Sequence, residues 1–381
     1  MVDLKKIKDI SSVGIGDVFG TCMSAVFWFY LASQIEPSSY GEIHWFLGIA
    51  SLFSGIALFG TTNTLTVYTA KKIQIQSTLN FISLSASAIL SLIVILVLPS
   101  FYTIDIGIIL IAYVINALAV GDILGRKQYS NYTKYTFIQK GLTLGLGLLF
   151  FYLFGYESII FALALSYILH FKRIISVFRE IKLNFKLVKP RFEFIINNYL
   201  MSIVAISSGQ VDKIVVAPLL GFAILGNYNL AIQAINIMLI VPSIFYKYLL
   251  PQESTGIKNK KPKIFVICLS ILITISGMVL APILISEFFP KFNDAVDAIR
   301  IMSIVVIPTT ISIILESEFL GKEKSRIVII STAIMLVSLV VGMIVLGSMM
   351  GIEGVAYSLV IANILKAAYY LVMKKFYSQI I

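Results

Sequence analysis

Four ionisable residues stand deep inside long apolar stretches of this 381-residue chain: Asp17, Asp212, Lys213 and Lys366. A charge so placed is expensive, and the residue types that tolerate it there handle ions, protons or charged ligands. An ammonium group in a low-dielectric cavity draws a phosphate or pyrophosphate. A carboxylate in the same place suits a proton or a metal cation. His170 and Lys140, near the ends of apolar stretches, and Asn116, within one, complete the candidate ligand-binding set. Asp212 and Lys213 are neighbours and cannot share a helix face, so one turns to a cavity while the other meets an adjacent helix. The competing reading is architectural, with Asp17 paired to Lys213 or Lys366 across helices. Asp122, Glu318, Lys140 and Arg300 lie near enough to segment ends to snorkel towards water. His44 is expected at an interface. Asn63, Asn116, Asn197, Asn198, Tyr199, Asn236 and Asn363 can bond sugar hydroxyls or hold helices together.

The same residues form no catalytic constellation. The two histidines are isolated, there is no phosphate-binding glycine loop, and no cluster has metal-ligand spacing. Cys22 and Cys268 fit neither a disulfide framework nor a metal site and read as lipid-facing or packed filler. No cofactor, metal or nucleic-acid partner is expected, and an enzyme is the weakest reading.

The elements that position these residues are legible from hydropathy. The chain is 59% hydrophobic and 13% charged. Twelve apolar segments alternate with short loops: 11–35, 42–69, 79–99, 104–125, 136–154, 157–178, 194–220, 223–250, 263–289, 295–320, 326–348 and 352–373. Each is long enough to cross a bilayer as a helix of roughly 20 residues, and their lengths exclude a transmembrane β-barrel. The fold class is therefore an all-α polytopic membrane protein with twelve transmembrane helices. Of the 30 basic residues, 26 fall before the first segment or in every second loop and the C-terminal tail. That asymmetry places both termini in the cytoplasm of a multi-pass cell-membrane protein. The net charge of +11 is thus topogenic. The basic start followed by a long apolar stretch reads as an uncleaved first span, and the sequon Asn131-Tyr132-Thr133 falls on the cytoplasmic side.

A weak internal repeat organises the segments. Leu124-Gly125-Arg126 reappears as Leu320-Gly321-Lys322, and Gly155-Tyr156-Glu157 as Gly351-Ile352-Glu353, both at the same offset. On that offset Asp122 meets Glu318 and His170 meets Lys366. Tyr40-Gly41 corresponds to Leu225-Gly226 at a shorter offset. Two six-span lobes follow: 1–178, then a basic connector over 179–193, then 194–381. Parallel repeats are related by an axis along the membrane normal, with a central cavity between them. Pro218, Pro242, Pro282 and Pro308 lie within spans of the second half only, giving either a static shape or a bending lobe.

Ser38-Ser39-Tyr40-Gly41 after the first span, Val211-Asp212-Lys213, Leu220-Gly221, Leu225-Gly226-Asn227-Tyr228 and Leu320-Gly321-Lys322 together resemble polysaccharide or O-antigen (Wzx-type) flippases. These belong to the multidrug/oligosaccharidyl-lipid/polysaccharide exporter superfamily. The resemblance implies two pseudo-symmetric six-helix lobes around a central cavity and alternating access. It implies a polyprenyl-phosphate-linked oligosaccharide as substrate, and membrane lipids and other polysaccharide-assembly membrane proteins as partners. Lys213 and Lys366 would hold the headgroup. The first span departs from relatives in carrying Asp17 and Trp28, where they often have an arginine. A cation-coupled antiporter of small amphiphiles on the same fold is the alternative, with Asp17 and Asp212 carrying protons or Na⁺.

Overall fold

The computed structural model describes residues 4–59, 62–98, 103–254, 260–322 and 324–380. Side chains are described for these except 4–13, 15, 17, 103, 247, 248, 250–254, 260 and 378–380. Among the described residues all regular structure is helical: α1 (Leu4–Gln34), α2 (Pro37–Ala57), α3 (Thr62–Ala70), α4 (Gln76–Val97), α5 (Thr103–Gly125), α6 (Tyr129–Phe154), α7 (Ile159–Leu165), α8 (Ile168–Glu180), α9 (Phe192–Leu220), α10 (Phe222–Met238), α11 (Ile240–Ser254), α12 (Lys260–Phe288), α13 (Asp294–Ser303), α14 (Val306–Gly321) and α15 (Ser325–Ile380). Helices are what these apolar stretches must form in lipid, because each N–H and C=O then finds its partner within the segment.

Seven helices are long and apolar enough to cross a membrane, or ten spans if three bent helix pairs count as one each. The 56-residue α15 folds back at Gly351 (φ 60°), so it supplies two spans, and α1 supplies one more. The total is the twelve expected. Its two arms are packed antiparallel: a Cβ on Gly354 would collide with the carbonyl of Leu346, and one on Gly342 would meet Ser358.

The helices form two compact units. Unit 1 holds Met1–Phe27 and Phe46–Ile206; unit 2 holds Trp28–Trp45 and Ser207–Ile381. Unit 1 is held by small residues and hydroxyls, as membrane packing requires. Thr62 and Thr66 of α3 donate to the carbonyls of Ala117 (3.1 Å) and Gly121 (3.3 Å) on α5. The Gln139 amide of α6 donates to Thr143 (3.0 Å) and to Ser166 (3.2 Å), just beyond α7. The basic stretch after α8 packs on this unit: Asn184 N–H donates to Thr78 Oγ1 at 2.8 Å, and the Arg191 guanidinium stacks over Tyr68.

In unit 2 the start of α2 crosses the start of α10 at bare backbone. A Cβ on Gly41 would collide with the carbonyl of Phe222, and one on Gly226 with the carbonyl of Pro37. These are the two glycines matched by the shorter repeat offset, and each reaches the other's helix start in the same way. The longer offset has its own counterpart in backbone geometry, since Gly155 (φ 83°) and Gly351 (φ 60°) both take positive φ.

Two of the four span prolines of the second half coincide with bends. The α10–α11 pair is bent by 48° and the α13–α14 pair by 41°. Pro242 and Pro308 each sit in the first turn after the break. A proline offers no N–H to the carbonyl four residues back, so the preceding turn is free to change course. Around 304–307 the chain tightens to three-residue turns, with Ile304 N–H on Ile301 O and Val305 N–H on Met302 O. Pro218 and Pro282 lie within continuous helices.

Candidate functional site

The embedded charges of unit 2 gather into two clusters. On α9, Asp212 is buried, and the Tyr228 hydroxyl of α10 donates to its Oδ2 at 3.1 Å. Its Oδ1 takes the backbone N–H of Lys213 at 2.8 Å. Lys213 is half-buried and donates to the neutral Gln210 Oε1 at 2.7 Å. The neighbours therefore divide as adjacency on a helix requires, the carboxylate meeting the next helix and the ammonium remaining on its own. The side-chain partner of Lys213 is thus a neutral amide.

The second cluster joins α14 and α15. Lys366 Nζ lies 3.6 Å from Glu316 Oε2, which also accepts from the Tyr370 hydroxyl at 3.2 Å. Asn363, one turn from Lys366, accepts from Thr309 at 3.2 Å and donates to the Leu359 carbonyl. Among the described residues the ion-pair partner of Lys366 is Glu316. At 3.6 Å the pair is loose, so the ammonium retains donor capacity.

The other expected residues lie in unit 1. Lys140 of α6 lays its aliphatic stem over Gly20 of α1. His170 of α8 is buried between Tyr135 (5.3 Å between ring centroids) and Tyr167 (5.9 Å), and its Nδ1 has no partner among the described residues. Asn116 is half-buried on α5. Asp17 falls on α1, but its side chain lies outside the described residues.

Several expectations need correction. Asp122 does not snorkel. It is buried and clamps two arginines, Arg126 at 3.0 Å and Arg173 at 2.7 Å, while Arg126 also reaches Glu180 at 2.6 Å. Its repeat partner Glu318 grips Lys263 at 2.6 Å and Lys374 at 2.9 Å. Both acids sit one turn before a helix end where basic residues converge, Arg173, Lys263 and Lys374 among them from other helices, so pairing wins over exposure to water. His44 is buried too, packed at 4.4 Å from Trp28 and 4.6 Å from Tyr40. Of the polar side chains read as possible sugar ligands, Asn198 and Tyr199 are engaged with the Phe194 and Ile56 carbonyls. Tyr199 ties α9 to α2, and Asn198 bonds within its own helix.

Sequence reasoning missed Tyr228, Tyr370 and Gln210. Tyrosine is common in membrane helices, and nothing in its spacing separates a hydroxyl aimed at a buried carboxylate from one at a lipid interface.

This helical architecture is shared with solved transporters. An inward-facing multidrug-resistance MATE family transporter of the MOP superfamily superposes with a TM-score of 0.73, at 15% identity over 94% of this chain and 93% of that one. The lipid II flippase MurJ in an inward closed conformation gives 0.71, at 15% identity over 95% of this chain and 87% of its own. A MOP superfamily transporter from Pyrococcus furiosus, whose binding pocket is described as of reversed polarity, gives 0.63 at 16% identity, covering 97% and 95%. No protein-family model and no curated protein sequence matches the chain. The chain thus shares the fold of these transporters: twelve membrane helices built from two six-helix halves.

Proposed function

We propose that the chain is a flippase that carries a polyprenyl-phosphate-linked oligosaccharide across the cell membrane by alternating access. It would act as a transporter rather than an enzyme, with both termini in the cytoplasm and lobes 1–178 and 194–381 joined by 179–193. The observation that carries the reading is Lys213: an ammonium at membrane depth whose hydrogen-bond partner is a neutral amide. Such a charge is costly unless an anion uses it. Lys366, loosely held by Glu316, offers a second cation in the same unit. A fold shared with a protein named as a lipid II flippase is in keeping with a lipid-linked substrate.

The cation-coupled antiporter is the second reading, favoured by Asp212, a buried carboxylate bonded to a tyrosine hydroxyl. Proteoliposomes separate the two. Lys213→Ala and Lys366→Ala should each slow transfer of a lipid-linked oligosaccharide by about tenfold or more, the effect of losing one charge-assisted hydrogen bond. Inserted protein should remain near normal, and Asp212→Asn should retain substantial transfer. Full transfer in both lysine variants would remove the cationic site. Gradient-driven drug efflux abolished by Asp212→Asn, without lipid transfer, would establish the antiporter instead.

A further inference from the structure

The stretch between α8 and α9 is tied to unit 1 along its length. Where α4 begins, Thr78 Oγ1 takes the Asn184 N–H at 2.8 Å. The Asn184 side chain accepts from the Lys186 N–H at 3.2 Å and starts a tight turn over Phe185–Leu187. Leu187 and Val188 pack on a buried cluster that includes Leu65, Tyr68 and Ile75, and Arg191 stacks over Tyr68. Fixed in this way, the segment turns two kinds of side chain outward. Leu183 and Phe185 are about half exposed, at 47% and 54%. Lys182, Lys186 and Lys189 are exposed beside them, and none has an ion-pair partner among the described residues. Over 179–193 five basic residues stand against two acids, and one of those acids, Glu180, is already held by Arg126 at 2.6 Å.

The ring of Phe185 shows where this face lies. It meets Phe81 edge-on at 6.1 Å, and Phe81 opens an exposed apolar stripe of α4 that continues through Ile89, Leu92 and Leu96. Such a stripe on a membrane helix faces hydrocarbon. Phe81 is five residues into α4, which is about 7.5 Å from its start at roughly 1.5 Å per residue. Interfacial segments sink their apolar face about 5–10 Å into the boundary between headgroups and acyl chains. Leu183 and Phe185 are therefore level with the first acyl carbons, and the lysines around them with the phosphates.

We propose that the segment 182–189 is a seat for anionic phospholipid. Lys182, Lys186 and Lys189 hold headgroup phosphates, while Leu183, Phe185 and Phe81 meet the upper acyl chains. A choline headgroup carries its own ammonium, so three uncompensated lysines select a headgroup of net negative charge. The apolar residues, continuous with the lipid-facing stripe of α4, favour a membrane surface over a soluble acidic partner. The seat does not depend on what the chain transports.

The test places a fluorophore at the seat. In the full chain, Trp28→Phe and Trp45→Phe remove the two native tryptophans, and Phe185→Trp supplies one at an exposed position. Nanodiscs hold equal parts of phosphatidylglycerol and phosphatidylcholine, with quenching bromine on the acyl chains of one or the other. Phosphatidylglycerol should be preferred about fivefold or more, the worth of a single basic residue near an anionic surface. Lys182→Gln, Lys186→Gln and Lys189→Gln together should bring the two lipids close to equal quenching, and high salt should weaken the preference. Lipid retained by the wild-type and triple-glutamine chains on extraction from the same discs, read by mass spectrometry, gives the ratio without any change of tryptophan. Equal quenching in the parent, a preference that survives the triple change, or no quenching by either lipid would each overturn the proposal.

Discussion

At the scale of single residues, the depth of a charge was legible in the sequence and its direction was not. Hydropathy alone placed Asp212, Lys213 and Lys366 inside spans, and each lies there. It could not say that Asp122 turns inward to two arginines, or that His44 packs against Trp28. One sequence gives position along a helix; rotation around it is set by neighbours that come from distant segments. Asp122 makes the consequence measurable. Its carboxylate is 1% exposed, and its arginine partners are 28% and 16% exposed. Asp122→Asn leaves two guanidinium groups converging on a neutral amide. The expected loss is up to about 3 kcal/mol, at the low end for breaking a buried pair because the arginines reach some water. A lowered melting temperature in detergent would register it. Asp297→Asn, in the exposed pair with Arg300, is the comparison and should stay within about 0.5 kcal/mol.

At the scale of elements, segment limits followed from apolar length, since the bilayer leaves the backbone no other option. The bends did not follow so directly. Pro242 and Pro308 sit just after breaks, whereas Pro218 and Pro282 ride inside unbroken helices. A proline loosens one turn, and packing decides whether that turn bends. The helix crossing at Gly41 and Gly226 is among the sharpest packing constraints. Gly41→Ala and Gly226→Ala each drive a methyl group into a backbone carbonyl that cannot rotate away. Each should cost about 1–3 kcal/mol or more as overpacking. Gly145→Ala, on a helix with open space around it, should be neutral or slightly stabilising. Thermal unfolding of the three purified variants checks the ordering, and equal stability would show that the α2–α10 approach is looser than described.

At the scale of the whole molecule, the repeat and the charge asymmetry carried most of the reading. Twelve spans and an all-helical fold stand in the structure, and thiol chemistry reads the sidedness. Cys22 and Cys268 are both exposed, so the background must first be made cysteine-free. Single cysteines at Ser38 and Gly351 should then react with an impermeant thiol reagent in intact cells, while those at Gln74 and Gly321 should not. The reverse pattern would invert the topology and, with it, the direction of transport. The two halves were legible because short motifs kept constant offsets. The partners of the embedded charges were not, because Tyr228, Tyr370 and Gln210 have no distinctive spacing.

The glycine crossing has a further meaning. Gly41 meets the start of α10 as Gly226 meets the start of α2, so one patch of the repeated unit recognises its own copy. That is the self-complementary surface of a two-fold homodimer. Joined in one chain, the two copies meet at an effective concentration set by the linker rather than by expression level. The join also releases the copies from identity. One can hold His170 where the other holds Lys366, and one can keep its spans free of proline while the other carries four. A six-span half expressed alone would still carry the patch, and would be expected to find a partner through it.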